Sequence, residues 1–369
     1  MMYGAFSTQQ ASRKPRTCDW GRNLSYWKDK EVLVTGGAGF IGHKLVARLL
    51  DLGANISVLD DLSKGSRQNL APYFDKIRFI QTDLLNSTVV KDSLKGCQVC
   101  FHLAAKIGGI GYFHKMPATI LRDNSIMNFN LWDAAVEADA KMVCLSSSMV
   151  FERATTFPTS ETAIETSSPP KSGYGFSKLL SEYIARTYYE EFGVKYLIAR
   201  PFNVYGEGEL PGEYVGYAHV IPDLIGKVLR GRYPLEILGS GNQTRCYTYV
   251  DDVVDGMLFV AERTENDDFN IGTNAETTVT ELAERIWRLC KRKESLKFKH
   301  MSSFKDDVQR RFPDVSKIMR LGWNPKTSLD EGLRKTIEWI KMQSKSCMQE
   351  VEEQPKSRSD GYEANEANG

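Results

Sequence analysis

The chain has 369 residues, 41% of them hydrophobic and 26% charged, enough for one large or two small domains around a sizeable core. Its 48 Lys and Arg balance 47 Asp and Glu, leaving a net charge of +1. That balance gives no electrostatic ground for a nucleic-acid or acidic-membrane partner, so an anionic ligand must meet a local basic site. No run of about eighteen apolar residues is present, so no membrane-spanning helix is expected. Residues 1–27 are polar and lack the apolar stretch of a secretory signal. The seven cysteines are odd in number and scattered through mostly apolar runs, as buried thiols in a reducing compartment are. The expected location is cytoplasmic. Cys97 and Cys100 form a C-x-x-C pair with no second pair or His at zinc spacing, so no metal is expected.

Residues 1–29 read as an extension before the fold, with Trp20, Tyr26 and Trp27 as anchors. The apolar run Glu31–Thr35 then ends in Gly36-Gly37-Ala38-Gly39-Phe40-Ile41-Gly42, and the periodic residues Leu45, Val46, Leu49 and Leu50 follow. The pattern is strand, tight turn, helix. Gly36 permits the turn, Gly39 admits a pyrophosphate close to the backbone, and Gly42 lets the helix pack on the strand. The helix N-terminus offers N–H groups to phosphate. A second strand ends at Asp60, about twenty residues on, where a carboxylate accepts from ribose hydroxyls and repels a 2′-phosphate. The implied cofactor is NAD rather than NADP.

From 30 to about 200, strands are expected at 31–35, 55–60, 77–81, 98–103, 141–146 and 195–199. Helices are expected near 40–52, 88–95, 117–138 and 173–192. This alternation specifies an α/β fold, a Rossmann-type doubly wound parallel sheet covered on both faces. A smaller, interleaved α/β C-terminal substrate domain follows. It has a loop over 206–216, a helix at 219–230, a strand at 235–238 and a helix at 251–263. The expected division is 30–205 with a returning segment at 239–263 for NAD, and 206–238 with 264–345 for substrate. The polar stretch 346–369 reads as a disordered tail.

Tyr174 and Lys178 stand at i and i+4 of a predicted helix and share a face. A tyrosine near pKa 10 is a poor base at neutral pH, and lowering it by about three units takes roughly 4 kcal/mol. The Lys178 ammonium and a positive nicotinamide ring can supply energy of that order in a dry site. The phenolate then takes a proton from a sugar hydroxyl while hydride leaves the same carbon. Ser146-Ser147-Ser148 follows the apolar run Met142–Leu145, placing hydroxyls at a strand end.

These residues, with Asp83-Leu84, His102-Leu103-Ala104-Ala105, Arg200-Pro201-Phe202-Asn203-Val204-Tyr205-Gly206, Gly239-Ser240-Gly241 with Arg245, Tyr249-Val250-Asp251-Asp252, Arg311-Phe312-Pro313-Asp314 and Leu321-Gly322-Trp323, carry a resemblance. From Val32 to about Trp339 the chain resembles the extended short-chain dehydrogenase/reductases, the NAD-dependent nucleotide-sugar epimerases and dehydratases. The resemblance implies Ser147, Tyr174 and Lys178 as catalytic residues. It implies a cofactor site at Gly36, Gly39, Phe40, Ile41, Gly42, Asp60, Asp83, Leu84, Leu103, Ala104, Ala105 and Lys106, with Tyr174 and Lys178. Ser147, Ser148, Asn203, Arg245 and Arg311 are implied to hold a nucleotide-diphosphate sugar. It also implies a homodimer through the helices near 117–138 and 173–192.

Three segments resemble particular members, one of them Gly332-Leu333-Arg334 through Trp339-Ile340-Lys341, which is similar to the end of the GDP-mannose epimerases. Ala104–Ile110, with Gly108, is similar to a stretch of the GDP-L-fucose synthases and GDP-mannose 3,5-epimerases. His219-Val220-Ile221-Pro222, with Lys227, resembles the fucose-synthase segment bearing a catalytic histidine and a basic residue. Those C3/C5-epimerising enzymes carry a cysteine two residues after the catalytic serine, where this chain has Met149. A thioether neither takes nor gives a proton. His219 then lacks an acid/base partner unless Lys106 or Cys246 replaces it. The 4,6-dehydratases place Asp-Glu where this chain has Ser148-Met149. The function that needs only Ser, Tyr, Lys and NAD is epimerisation of a GDP- or UDP-hexose through a transient 4-keto intermediate. The alternative is a C3/C5 epimerase or 4-keto-6-deoxy-sugar epimerase/reductase using His219. The remote alternative is a non-catalytic NAD-binding scaffold.

Overall fold

A computed structural model describes residues 25–107, 115–212, 218–303 and 308–352, with side chains through 344. Trp20, Gly108 and residues 353–369 lie outside these ranges, as does part of the loop over 206–216. Six parallel strands follow the predicted order: β1 Glu31–Thr35, β2 Asn55–Asp60, β3 Ile77–Gln81, β4 Val99–His102, β5 Lys141–Leu145 and β6 Tyr196–Pro201. The helices between them are α1 Gly42–Asp51, α2 Ser87–Leu94, α3 Pro117–Ala138 and α4 Gly173–Phe192. Ser172 opens α4 by accepting the Gly175 amide at 3.0 Å, and Gly193, at φ +75°, closes it.

The C-terminal part adds β7 Val204–Tyr205, α5 Val220–Leu229, β8 Leu235–Leu238, β9 Thr244–Cys246, β10 Thr248–Tyr249 and α6 Val250–Arg263. Then come β11 Asp267–Ile271, β12 Glu276–Thr278, α7 Val279–Leu289, β13 Phe298–Met301, β14 Arg310–Arg311 and α8 Leu329–Glu352. The main sheet has seven strands in the order β11-β6-β5-β4-β1-β2-β3, all parallel. One apolar cluster joins one face to α1 and α6, and a second joins the other face to α2, α3 and α4. A third, built on α5, α7 and α8, is the core of the C-terminal part.

Two boundaries differ from expectation. β11 belongs to the main sheet, although 264–345 reads as substrate region; its pairing with β6 is long-range and leaves no local signal. α8 also runs through Glu352, past the 346 boundary, because Lys, Met, Gln and Glu favour helix without an apolar stripe. The N-terminal anchor is Trp27, fully buried, with Nε1 donating to Glu262 at 2.7 Å and its ring 5.5 Å from Phe101. The apolar stripes of α3 and α4 divide. Leu131, Trp132 and Ile184 are core, whereas Phe129 (44%) and Tyr183 (56%) are exposed.

Cys97 and Cys100 are buried free thiols at the start of β4, and burial pushes Cys97 up to about 11, the reverse of a reactive or ligating thiol. No helix among the described residues is long and apolar enough to cross a membrane.

Candidate active site

The carboxyl ends of β1, β4, β5 and β6 open into one cavity of about 1150 Å³. The site residues singled out from the sequence line it, except Gly108, which lies outside the described residues, and Cys246, which is buried behind the wall. At one end stands the glycine turn. Gly36 has φ +70°, and a Cβ there would meet the Ala104 amide nitrogen at 2.8 Å. A Cβ on Gly42 would fall 2.0 Å from the Gly36 carbonyl oxygen. The N-cap of α1, Ile41, supplies no side-chain cap, so the first turn presents backbone amides to a ligand.

Asp60 closes this end. Its Oδ2 accepts the Ala38 amide at 2.9 Å and its Oδ1 the Leu62 amide at 2.8 Å. Each oxygen keeps a further lone pair for a ribose hydroxyl. Burial raises the Asp60 carboxyl above its ordinary range, and the two amide bonds oppose that shift. Asp83 forms a turn by accepting the Leu85 amide at 3.0 Å, and the Leu84 carbonyl accepts from Asn130 at 2.8 Å. The Leu103 and Ala104 amides donate to the Thr35 carbonyl and hydroxyl at 3.2 and 3.3 Å. Ala105 lines the same wall. Bare glycine backbone, a helix start without a side-chain cap and a carboxylate on the same cavity wall form a cradle that fits NAD.

Midway lie Ser147, Tyr174 and Lys178. Ser147 Oγ accepts the Met149 amide at 3.2 Å and bonds to Tyr174. Burial pushes the Tyr174 phenol up to about 12, against the Ser147 hydrogen bond and the Arg311 charge, which pull it down. Lys178 shares the α4 face with Tyr174, as its spacing implies. Its Nζ donates to the Leu145 carbonyl at 2.7 Å and lies 6.0 Å from the Tyr174 ring centre, and burial pushes it down to about 8. The strongest nearby influences on the phenol are Ser147 and Arg311. Ser148, buried, follows on the same turn.

At the far end, β9 and β14 pair in parallel with Arg245 and Arg311 in register. Arg311 is also 2.9 Å, through Nη2, from Met149 Sδ. Asn203, at φ +42°, donates to the Cys246 carbonyl at 3.3 Å. His219, its side chain 51% exposed, bonds through Nδ1 to Glu209 at 2.6 Å. Glu209 raises the His219 pKa, and Arg311 opposes this. The sequence reading missed Glu209, whose pairing with His219 spans a loop. Lys227 donates to the Glu236 carbonyl at 3.2 Å and pairs with Asp223 at 2.9 Å. Neither expected substitute acid/base partner is in place. The Lys106 ammonium is directed to Asp61, 3.9 Å away, and Cys246 is fully buried, its thiol pushed up to about 12.

A parallel α/β sheet with a glycine cradle and a Ser–Tyr–Lys group at its carboxyl edge is the arrangement of a nicotinamide-dependent enzyme. Residues 32–272 match the NAD dependent epimerase/dehydratase family, and the chain belongs to it; its cofactor is NAD. UDP-glucuronic acid decarboxylase 1 of Arabidopsis thaliana is 31% identical over 313 residues, 84% of this chain and 69% of that protein. The UDP-glucose 4-epimerase of Thermotoga maritima, solved with UDP-glucose, is 33% identical. The match has a TM-score of 0.77 and covers 85% of this chain and 99% of that one. The UDP-glucose 4-epimerase of Thermus thermophilus, solved with NAD, is 27% identical at a TM-score of 0.74, covering 84% and 99%. All three are UDP-sugar enzymes by name; a kinship to GDP-mannose epimerases is not shown by them.

Proposed function

We propose that the protein is an NAD-dependent epimerase that inverts C4 of a UDP-hexose through a transient 4-keto sugar. The observation that carries this reading is the pairing of Ser147 and Tyr174, a base placed for O4, beside the Met149 thioether, which can carry no proton to or from C3 or C5. Tyr174 and Ser147 hold the sugar O4, and Tyr174 takes its proton. NAD, held by the glycine turn and Asp60, would supply the hydride acceptor and donor for C4. Lys178 holds the nicotinamide ribose, and Tyr174 gives the proton back to O4 at the end. Arg245 and Arg311, side by side on β9 and β14, suit a diphosphate, which guanidinium groups bind in pairs. UDP is favoured over GDP by the named relatives.

A second reading, decarboxylation of UDP-glucuronic acid, is favoured by the plant and animal decarboxylases at 30–31% identity. It shares the C4 oxidation but needs a proton delivered to C5, which the Met149 thioether cannot supply. A homodimer is proposed through Phe129 and Tyr183, and sedimentation of the purified protein tests it.

The function is tested by NMR of purified protein with UDP-glucose, UDP-N-acetylglucosamine, UDP-glucuronic acid and GDP-mannose. The expected product is a C4 epimer of a UDP-sugar. A UDP-pentose with released carbon dioxide establishes the second reading instead.

A further inference from the structure

Behind the residues that face the cavity lies a buried ion pair that the chemistry does not use. Glu182 on α4 and Arg200 on β6 are both 0% exposed. Arg200 donates through Nε to Glu182 Oε1 at 2.7 Å and through Nη2 to Oε2 at 2.6 Å. The same Nη2 is 2.5 Å from Asp268 Oδ2 on β11. Such a pair gives up its hydration, and an apolar pair of equal volume is often as stable, so stability alone does not account for it.

Its two ends touch the chain on either side of Ser147. Ser146 Oγ donates to Glu182 Oε1 at 2.5 Å, and the Ser146 amide donates to the Ala199 carbonyl at 2.8 Å. After the turn, the Phe151 ring centre lies 5.3 Å from the Arg200 guanidinium carbon. Ser147 through Val150 is thus bracketed, hydroxyl to carboxylate before it and ring to cation after it. Glu182 also stands four residues beyond Lys178 and eight beyond Tyr174, on one face of α4.

We propose that Ser146, Glu182 and Arg200 form a positioning clamp that aims the Ser147 hydroxyl at Tyr174. Ser147 Oγ already accepts the Met149 amide, so its own proton is the one available to the phenol. The clamp fixes the backbone from which that hydroxyl projects. The inference rests on Ser147 and Tyr174 being the reaction centre, but not on which sugar reacts there. The groups facing the phenol are Ser147, Arg311 from β14 and Lys178 from its own helix. Those facing Lys178 are Cys144, Glu182 and His102. Ser146→Ala removes no charge from either set, so any shift it causes reports geometry.

The test follows Tyr174 directly, in NAD-loaded full-length protein without sugar nucleotide. Tyrosinate absorbance of each protein, less that of its Tyr174→Phe counterpart, gives the titration of this one phenol. Ser146→Ala is expected to raise that titration toward the value in Ser147→Ala, and Ser146→Thr to restore it. With substrate, Ser146→Ala is expected to lower kcat by roughly tenfold with KM within about twofold. The charge-neutral Glu182→Gln/Arg200→Gln variant is expected to move the titration in the same direction. Should it fail to fold, Ser146→Ala still decides. A Ser146→Ala protein that titrates and turns over like the wild type overturns the proposal and leaves the pair a purely structural feature. Because the titration needs no substrate, its outcome stands apart from the identity of the reaction.

Discussion

Nη2 of Arg311 lies 2.9 Å from Sδ of Met149, so a cation sits on an inert thioether where the C3/C5 epimerases are implied to carry a thiol. Cations beside a cysteine lower its pKa and favour the thiolate. Met149→Cys is therefore expected to gain slow exchange of a sugar C3 or C5 hydrogen in deuterium oxide, while C4 inversion continues. Mass spectrometry of recovered sugar nucleotide checks this. Exchange in the wild type at the same rate would show that Met149 does not set the choice of carbon.

Tyr174 is buried, which pushes its phenol up to about 12. Binding the positive nicotinamide ring is expected to bring its tyrosinate absorbance to lower pH. Tyr174→Phe is expected to cut kcat by 10²–10⁴-fold, the usual range for a lost general acid/base, with little change in KM. A tyrosinate titration unmoved by NAD would place the base elsewhere.

Asp60 holds two backbone amides as well as facing the cofactor cradle. Asp60→Ala strands the buried Ala38 donor and the half-buried Leu62 donor, and the buried one alone costs about 1–3 kcal/mol if no water replaces the carboxylate. The variant is expected to lose NAD affinity and melt several degrees lower, read by nucleotide fluorescence and calorimetry. Asp60→Asn keeps one acceptor and is expected to recover part of the stability but not the affinity.

His219, held by Glu209, keeps its proton above the ordinary histidine range. The C4 reaction gives it no proton to carry. His219→Asn is expected to leave kcat within roughly threefold, well short of the 10²–10⁴-fold loss of a general acid/base. A loss of that larger size would make His219 the working acid of the alternative chemistry.

His102, buried and bonded to Thr35 at 2.9 Å, has its pKa pushed down to about 3. Its folded pKa lies below the ordinary value near 6.5, so between the two the unfolded chain binds a proton that the folded chain does not. Stability therefore falls as pH drops from about 6.5 toward 3, by on the order of 2 kcal/mol at pH 5. His102→Asn does not titrate and is expected to show a shallower loss between pH 7 and 5 in urea unfolding.

What the sequence reveals is set by the range over which its signals act. The glycine turn, Asp60 and the Tyr174–Lys178 spacing are local patterns, and the cavity gathers them as read. The first six strands are also readable, because each is a short apolar run between turns. The pairing of Arg245 with Arg311, of His219 with Glu209, and of β11 with β6 depends on register across distant segments, and no spacing encodes it. The role given to Lys178 is legible in kind but not in geometry. Its position on the helix face is right, whereas the direction of its ammonium, toward the Leu145 carbonyl, is a tertiary fact. Glu182 leaves only a faint trace, a carboxylate one turn past Lys178 among residues that pack inward.

The most direct measurement follows the C4 hydrogen itself. A UDP-hexose deuterated at C4 is incubated in ordinary water with the NAD-loaded protein, and the epimer is examined by NMR and mass. Full retention of deuterium at C4 of the inverted product is the predicted result. Loss of the label to solvent, or inversion at another carbon, would contradict an internal hydride transfer served by Ser147, Tyr174 and NAD.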